Sequence, residues 1–199
     1  MNEIAPGIVH WKAKHPSIGA DVSCYYLPAE RVLIDPMEPE EGLDWFRENG
    51  PPEHVVLSNR HHDRDSAKFV EAFGCTVHAS RPGMHEFSEK ELEVEPFDYG
   101  DELPGGVRAY EAGAICPDDT ALHIPAHSAL AVADGVINYG GLGFVPDEHL
   151  GDDVDAMKRE IRGSYGKMAD ELEFDHLLVA HGEPVVGGAR DALRTFSEG

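Results

Sequence analysis

The segment His54-Val55-Val56-Leu57-Ser58 leads directly into Asn59-Arg60-His61-His62-Asp63-Arg64-Asp65-Ser66. Its first part has the apolar composition of a buried β-strand, and residues 66–73 have the apolar spacing of a short helix that ends before Gly74. A predicted strand is therefore followed by a polar loop and then by a helix. Because α/β proteins place ligand-binding side chains in loops at strand ends, we expect the functional residues in this loop.

The rest of the chain predicts strands and helices on both sides of this unit. Apolar runs predict strands at residues 7–13, 21–27, 31–35, 75–79, 92–97, 107–113, 120–125, 130–133 and 174–180. Helices are predicted at residues 40–49 and 188–197, and a long one runs from a cap at Asp152 or Asp153 to Leu172. This order predicts an α/β (α+β) fold in one domain, residues 1–199, built as a four-layer αββα sandwich of two mixed sheets. A doubly wound α/β fold is the alternative, although the glycine-rich phosphate-binding motifs that would favour it are absent.

The chain is strongly acidic. Its 199 residues include 38 Asp and Glu against 16 Lys and Arg, a formal net charge of −22, which argues against binding to nucleic acids or anionic membranes. No apolar run approaches the roughly 18 residues of a membrane-spanning helix, and Met1-Asn2-Glu3 does not begin a signal peptide. We therefore expect a cytoplasmic protein with a small-molecule substrate. The acidic excess resembles that of proteins from salt-accumulating archaea, in which salt screens the repulsion.

Two further predicted strands end in polar residues. Residues 129–133 lead into Asp134, and residues 177–180 lead into His181-Gly182. Together with Leu33-Ile34-Asp35 and residues 58–64, these landmarks resemble the metallo-β-lactamase superfamily. In that family an early LID, an H-x-H-x-D-H motif, a GH, a GD and a final GHG follow one another in this order. The resemblance covers nearly the whole chain and implies the αββα sandwich and a hydrolase activity.

The resemblance also implies a metal site. The chain keeps four of the family's ligand positions: His61, Asp63, Asp134 and His181. Asn59 and Arg64 stand where the family has two further histidines. The resemblance thus implies a depleted site with at most one divalent metal, either Zn²⁺ or alternatively Fe²⁺ or Mn²⁺.

The third histidine of the family's first metal position has two alignments here. In one, Ala114 takes its place and Asp134 remains the bridging acid. In the other, His127 takes its place and the bridging acid is lost. The sequence favours Ala114, because that alignment keeps the usual strand between the two landmarks.

The loop residues receive roles from this alignment. A bound metal would activate water for hydrolysis of a small ester, thioester, lactone or phosphoester, with His61 or His62 as the general acid or base. Asn59 and Arg60 are the candidates for binding the substrate. His62 is otherwise expected to face solvent.

Arg64 supports a second interpretation of the same loop. A guanidinium group does not bind a metal, and beside Asp63 and Asp134 it would form bidentate ion pairs that replace the charge of a cation. The catalytic groups would then act without metal. Alternatively, the chain would be a non-catalytic member of the fold that binds a small anionic ligand or a protein partner.

Overall fold

The first sheet contains seven strands in a computed structural model that describes residues 1–199. They are β1 (Asn2–Ala5), β2 (Ile8–Lys14), β3 (Asp21–Leu27), β4 (Val32–Ile34), β5 (His54–Val56), β6 (Thr76–Ser80) and β7 (Val94–Phe97). The strands lie side by side in chain order. The pairs from β1 to β4 are antiparallel, and those from β4 to β7 are parallel. The carboxyl ends of β4 and β5 therefore meet at one edge of this sheet.

The second sheet contains six strands in the order β15-β14-β11-β10-β9-β8. They are β8 (Glu102–Leu103), β9 (Val107–Glu111), β10 (Thr120–Ile124), β11 (Ala129–Val132), β14 (His176–Val179) and β15 (Val185–Val186). Strands β11 and β14 are parallel neighbours, so Asp134 and His181, which follow them, leave the sheet on the same side. A small hairpin of β12 (Ile137–Asn138) and β13 (Leu142–Gly143) lies apart from both sheets.

Four α-helices cover the outer faces of the two sheets. They are α1 (Asp44–Asn49), α2 (Ser66–Phe73), α3 (Val154–Glu171) and α4 (Ala189–Glu198). One apolar cluster joins the two sheets, a second joins the first sheet to α1 and α2, and a third joins the second sheet to α3 and α4. The predicted four-layer αββα sandwich is confirmed.

Hydrogen bonds close the sandwich at the end where the polar loops emerge. The Tyr25 hydroxyl donates to the Val179 carbonyl at 2.7 Å, and the Ser23 hydroxyl donates to the Gly182 carbonyl at 2.9 Å. The Thr120 N–H of the second sheet donates to the Ser58 carbonyl, which follows β5 in the first sheet. These bonds fix the loops of one sheet relative to those of the other.

Candidate metal centre

Three side chains converge between the two sheets. His62 Nε2 lies 3.3 Å from Asp134 Oδ1, and His181 Nε2 lies 3.0 Å from the same oxygen. The three ligand atoms are all within 4.8 Å of one another. His62 comes from the loop after β5, Asp134 from the turn after β11, and His181 from the turn after β14. We call these three residues the triad.

Asp35 orients the His62 ring from behind. It is buried directly after β4, where its backbone adopts a left-handed conformation with φ of 47°. Its carboxylate accepts the Ser58 N–H at 2.8 Å, the Ser58 hydroxyl and the His62 Nδ1–H at 2.9 Å. Because Nδ1 donates to Asp35, Nε2 is the nitrogen that faces Asp134. A carboxylate behind a metal-binding histidine commonly fixes its tautomer in this way.

The charges of the site depend on one another. Burial disfavours the charged form of His62, but Asp134 and Asp35 outweigh this effect and raise the pKa of the ring to about 9. Burial also disfavours ionised Asp134, yet the neighbouring His62 and His181 hold the pKa of its carboxyl well below the usual range. The ionised carboxylates of the site are therefore stabilised by a positive charge beside them. Either a proton or a metal cation supplies that charge.

The triad fits a divalent metal. Asp134 Oδ1 is buried and has no hydrogen-bond partner, although two imidazole nitrogens lie within 3.3 Å of it. Atoms that bind the same metal ion, each at about 2.0–2.1 Å, lie at separations like these from one another. A shared metal ion would therefore explain the short distances to Asp134 Oδ1 without a hydrogen bond. Two imidazoles and one carboxylate form a donor set used by zinc and non-haem iron proteins, and it leaves coordination positions open.

A second buried acid lies beside the triad and was missed by the sequence analysis. Asp119 has no measurable exposure, and its Oδ2 atom has no hydrogen-bond partner. Burial first and the charge of Asp134 second raise the pKa of Asp119 to about 7. Asn59 faces the same space, with Nδ2 3.0 Å from the Cys116 sulfur and 3.5 Å from Asp119 Oδ1. The only signal in the sequence was the position of Asp118-Asp119 immediately before a strand.

The structure does not bring His61 and Asp63 into the triad. His61 is exposed, and its ring lies outside the group that includes His62. Asp63 Oδ2 instead accepts a charged hydrogen bond from Lys90 Nζ at 2.8 Å. The expectation that His62 faces solvent is wrong, because His62 is 4 % exposed and its ring lies against Asp134.

The ion pairs expected between Arg64 and the carboxylates of Asp63 and Asp134 do not form. Arg64 Nη1 donates to the backbone carbonyls of Asp35 at 2.7 Å and Ser23 at 3.0 Å. Its backbone has a left-handed φ of 41°, which is strained for a residue with a side chain. Arg64 therefore supports the backbone beneath the site. It does not neutralise the carboxylate of Asp134, so a cation is still required there.

Asn59 and Arg60, the two candidates for substrate binding, have structural partners. The Asn59 side chain accepts the His61 N–H at 2.8 Å and begins the short 3-10 helix Arg60–His62. Arg60 forms an ion pair with buried Asp118, whose carboxylate also accepts the Arg60 N–H at 2.7 Å. Both residues hold the loop in the form that presents His62.

The positions of His127 and Ala114 in the structure distinguish the two alignments of the missing histidine. His127 follows β10 at the end away from the triad, where its Nδ1 lies 2.9 Å from the Pro6 carbonyl oxygen and its Nε2 3.0 Å from Glu30 Oε2. Ala114 lies in the loop between β9 and β10, two residues from Cys116, which contacts Asn59. The structure thus agrees with the alignment that puts Ala114 near the site.

A cavity of about 310 Å³ opens beside residues 59–66, the loop that carries His62 and that we call the triad loop. Residues 15–17, between β2 and β3, and Met37 form part of its wall. The remaining lining residues are polar and come from the triad loop and from Lys90: His61, Asp63, Arg64, Asp65 and Lys90. The cavity is large enough for a small molecule and mostly polar.

Comparisons with known proteins agree with the fold. No family model matches the chain, and no curated protein matches it. Among solved structures, rubredoxin oxygen:oxidoreductase from the anaerobe Desulfovibrio gigas aligns with a TM-score of 0.69 at 16 % identity over 99 % of this chain. The chain spans 60 % of the length of that protein.

Two shorter proteins align over nearly their whole length. The DIM-1 metallo-β-lactamase, in a crystal exposed to ceftazidime, gives a TM-score of 0.71 at 16 % identity, covering 99 % of this chain and 95 % of DIM-1. TTHA1623 in a di-iron-bound form gives a TM-score of 0.67 at 19 % identity, covering 88 % of this chain and 94 % of TTHA1623. The chain has the metallo-β-lactamase fold, a fold that holds metal ions in other proteins. Every helix of the chain is either too short or too polar to span a lipid bilayer.

Proposed function

We propose that the chain is a metal-dependent hydrolase with one divalent ion held by His62, Asp134 and His181. The observation that carries the proposal is the convergence of two imidazole nitrogens on the buried Asp134 Oδ1 atom, which has no hydrogen-bond partner. The proposed substrate is a small ester, thioester, lactone or phosphoester. Zn²⁺ is the proposed ion, with Fe²⁺ or Mn²⁺ as alternatives that suit the same donor atoms.

The residues of the chain divide into three roles in this proposal. His62, Asp134 and His181 hold the ion, while Asp35 fixes the ring of His62 through its Nδ1–H. His61 and Lys90 line the cavity beside the triad loop and would contact the substrate. Arg64 positions the backbone of Asp35 through its carbonyl. A bound divalent ion would supply Lewis-acid polarisation of the substrate's carbonyl or phosphoryl oxygen.

The proposed setting is a salt-rich cytoplasm. The net charge of −22 supports it, because such a charge repels itself unless salt screens it. The three cysteines are unpaired, which is usual for proteins kept in reducing compartments. No macromolecular partner is part of the proposal.

The first test is metal content by mass spectrometry on protein purified in high-salt buffer without chelators or a histidine tag. We expect about one equivalent of Zn²⁺, Fe²⁺ or Mn²⁺. His62→Gln and His181→Gln should lose it, because each removes one of three ligands. His61→Gln is the matched control and should retain the metal, since the exposed ring of His61 lies outside the triad. Equal loss in all three variants, or a wild-type protein that stays free of metal after soaking, would overturn the proposal.

The second test separates a metal-binding scaffold from an enzyme. Asp35→Asn keeps the triad but replaces the carboxylate that accepts the His62 Nδ1–H, so metal affinity should fall about 10–100-fold. Hydrolysis of a panel of small esters, thioesters, lactones and phosphoesters should fall in parallel with metal occupancy in the His62 and Asp35 variants. Metal binding without hydrolysis of any member of the panel would leave only the metal site and reject the hydrolase.

A further inference from the structure

Two histidines on neighbouring strands form a separate cluster. His54 Nδ1 and His78 Nε2 form a hydrogen bond at 3.2 Å, in which one ring donates and the other accepts. His54 is the first residue of β5, whose other end leads into the triad loop. In the register of the parallel pair, Val56 faces His78, so His54, two residues earlier, lies on the same face of the sheet as His78.

The surroundings of His78 favour its neutral ring. His78 is 8 % exposed, and His54 is half-buried. Burial first and the neighbouring His54 second lower the pKa of His78. A neutral imidazole is the form that binds a metal.

A carboxylate on the next strand lies beside His78. Glu95 of β7 is paired with His78 in the register, and its Oε2 atom lies 3.8 Å from His78 Nδ1. The nitrogen of His78 that faces Glu95 is thus not the one that faces His54. Glu95 thus places a negative charge on the side of the His78 ring opposite to His54, at an ion-pair distance rather than a hydrogen-bond distance.

We propose that His54 and His78 chelate a divalent late-transition-metal ion, in a site independent of the triad and of the proposed function. Two nitrogens bound tetrahedrally at 2.0–2.1 Å would lie about 3.3 Å apart, close to the separation observed. Two protein ligands leave the other positions to water, so this site binds more weakly than the triad. Its ion would join β5 to β6 and stabilise the folded chain by its binding free energy.

The test is calorimetric titration with Zn²⁺ alone. Wild-type protein is expected to bind one equivalent at the triad and a weaker one at the histidine pair. The Asp134→Asn/His181→Gln variant should retain the weaker equivalent, and adding His78→Gln should remove it. His149→Gln, which removes an exposed histidine from the same background, is the control and should retain it. Zn²⁺ should also raise the thermal midpoint of the triad-deficient variant, and this rise should vanish with His78→Gln.

Cu²⁺ provides a second measurement if His78→Gln folds poorly. Electron paramagnetic resonance of the triad-deficient variant loaded with Cu²⁺ should show coupling to two imidazole nitrogens, and His54→Gln should reduce it to one. The proposal is overturned if the triad-deficient variant binds no metal, or if neither His54→Gln nor His78→Gln changes its binding. A single equivalent in wild type that survives in the triad-deficient variant would support the histidine pair and reject the metal-dependent hydrolase instead.

Discussion

His10 is a buried histidine outside both proposed metal sites, and its surroundings keep it uncharged. It is 8 % exposed, its Nε2 atom lies 3.0 Å from the Ser23 hydroxyl, and its ring stacks on Tyr25 with centroids 5.0 Å apart. Because Ser23 donates its own hydrogen to the Gly182 carbonyl, it accepts the Nε2–H of His10. Burial first and Lys12 second lower the pKa of His10 to about 4.

We predict that His10 destabilises the fold as the pH falls from 6.5 to 4. In this window the unfolded chain binds a proton at His10 and the folded chain does not, so the free energy of unfolding decreases with falling pH. The full effect is at most about 3 kcal/mol, and it is complete near pH 4. Urea unfolding at fixed salt, compared between wild type and His10→Gln at pH 7 and pH 4.5, measures it.

The quantity to measure is the difference in the free energy of unfolding between wild type and His10→Gln at each pH. Asp119 acts in the opposite direction, because its raised pKa makes the folded chain bind a proton first as the pH falls. Subtracting the His10→Gln data removes this contribution and those of other groups. Parallel pH profiles for the two proteins would contradict the assignment of a lowered pKa to His10.

The sequence identified the loop that holds the site but not every residue in it. Asp134 and His181 were expected to lie together, and the structure brings them within 3.0 Å of each other. Family alignment selected His61 over His62. Residues Arg60–His62 form a 3-10 turn, in which successive side chains rotate by about 120°, so adjacent histidines face different surroundings. Only the partners Asp35 and Asp134, distant in sequence, determine that His62 is the one turned inward.

At the scale of elements, one buried ion pair connects the triad loop to the second sheet. The Asp118 side chain is 1 % exposed and pairs with Arg60, while its backbone carbonyl accepts the hydroxyls of Ser80 and Thr120. A Cβ on Gly83 would lie 2.9 Å from Asp118 Oδ2, so the segment after β6 packs closely on this pair. Asp118 thus holds together the triad loop, β6 and β10.

We predict that Asp118→Ala lowers the free energy of unfolding by about 2–4 kcal/mol. The variant leaves the guanidinium of Arg60 and the Arg60 N–H without their partner in a place that water reaches poorly. Asp98→Ala is the matched control, because Asp98 pairs with Arg81 where both side chains are 57 % exposed, and it should lower the free energy of unfolding far less than Asp118→Ala does. Chemical unfolding of both variants decides the point, and equal losses would show that burial of the Asp118 pair has no special effect.

Most elements were predictable, and those that were not share a physical cause. The strand Asp21–Leu27 and the helix Ser66–Phe73 were predicted with the bounds observed, because their apolar spacing is regular. The 3-10 segment Arg81–Glu89 was not predicted, since such turns have no long apolar repeat. Lys90 lies directly after this segment and pairs with Asp63. Because the segment was not predicted, the sequence also did not show that Asp63, a proposed metal ligand, forms an ion pair instead.

The whole molecule carries a charge that its ion pairs do not remove. The formal net charge is −22, and many acids project from the surface without a basic partner, among them Glu48, Glu91, Glu93 and Glu160. Like charges over the surface of a compact fold raise its free energy relative to the expanded unfolded chain. The Debye length shortens from about 10 Å at 0.1 M salt to about 3 Å at 1 M, so salt screens most of this repulsion.

We predict that the free energy of unfolding rises from 0.1 M to about 1 M KCl because this repulsion is screened. Urea is the suitable denaturant, since it adds no ions. The variant Glu48→Gln/Glu91→Gln/Glu93→Gln/Glu160→Gln removes four exposed charges that form no ion pair, and it should be more stable than wild type at 0.1 M KCl and gain less from added salt. If KCl instead stabilised both proteins equally, screening of the surface acids would not be the cause, and stabilisation by salt would have to arise from strengthened burial of apolar surface. Potassium sulfate at matched ionic strength separates the two effects, because sulfate strengthens apolar burial whereas screening follows ionic strength alone.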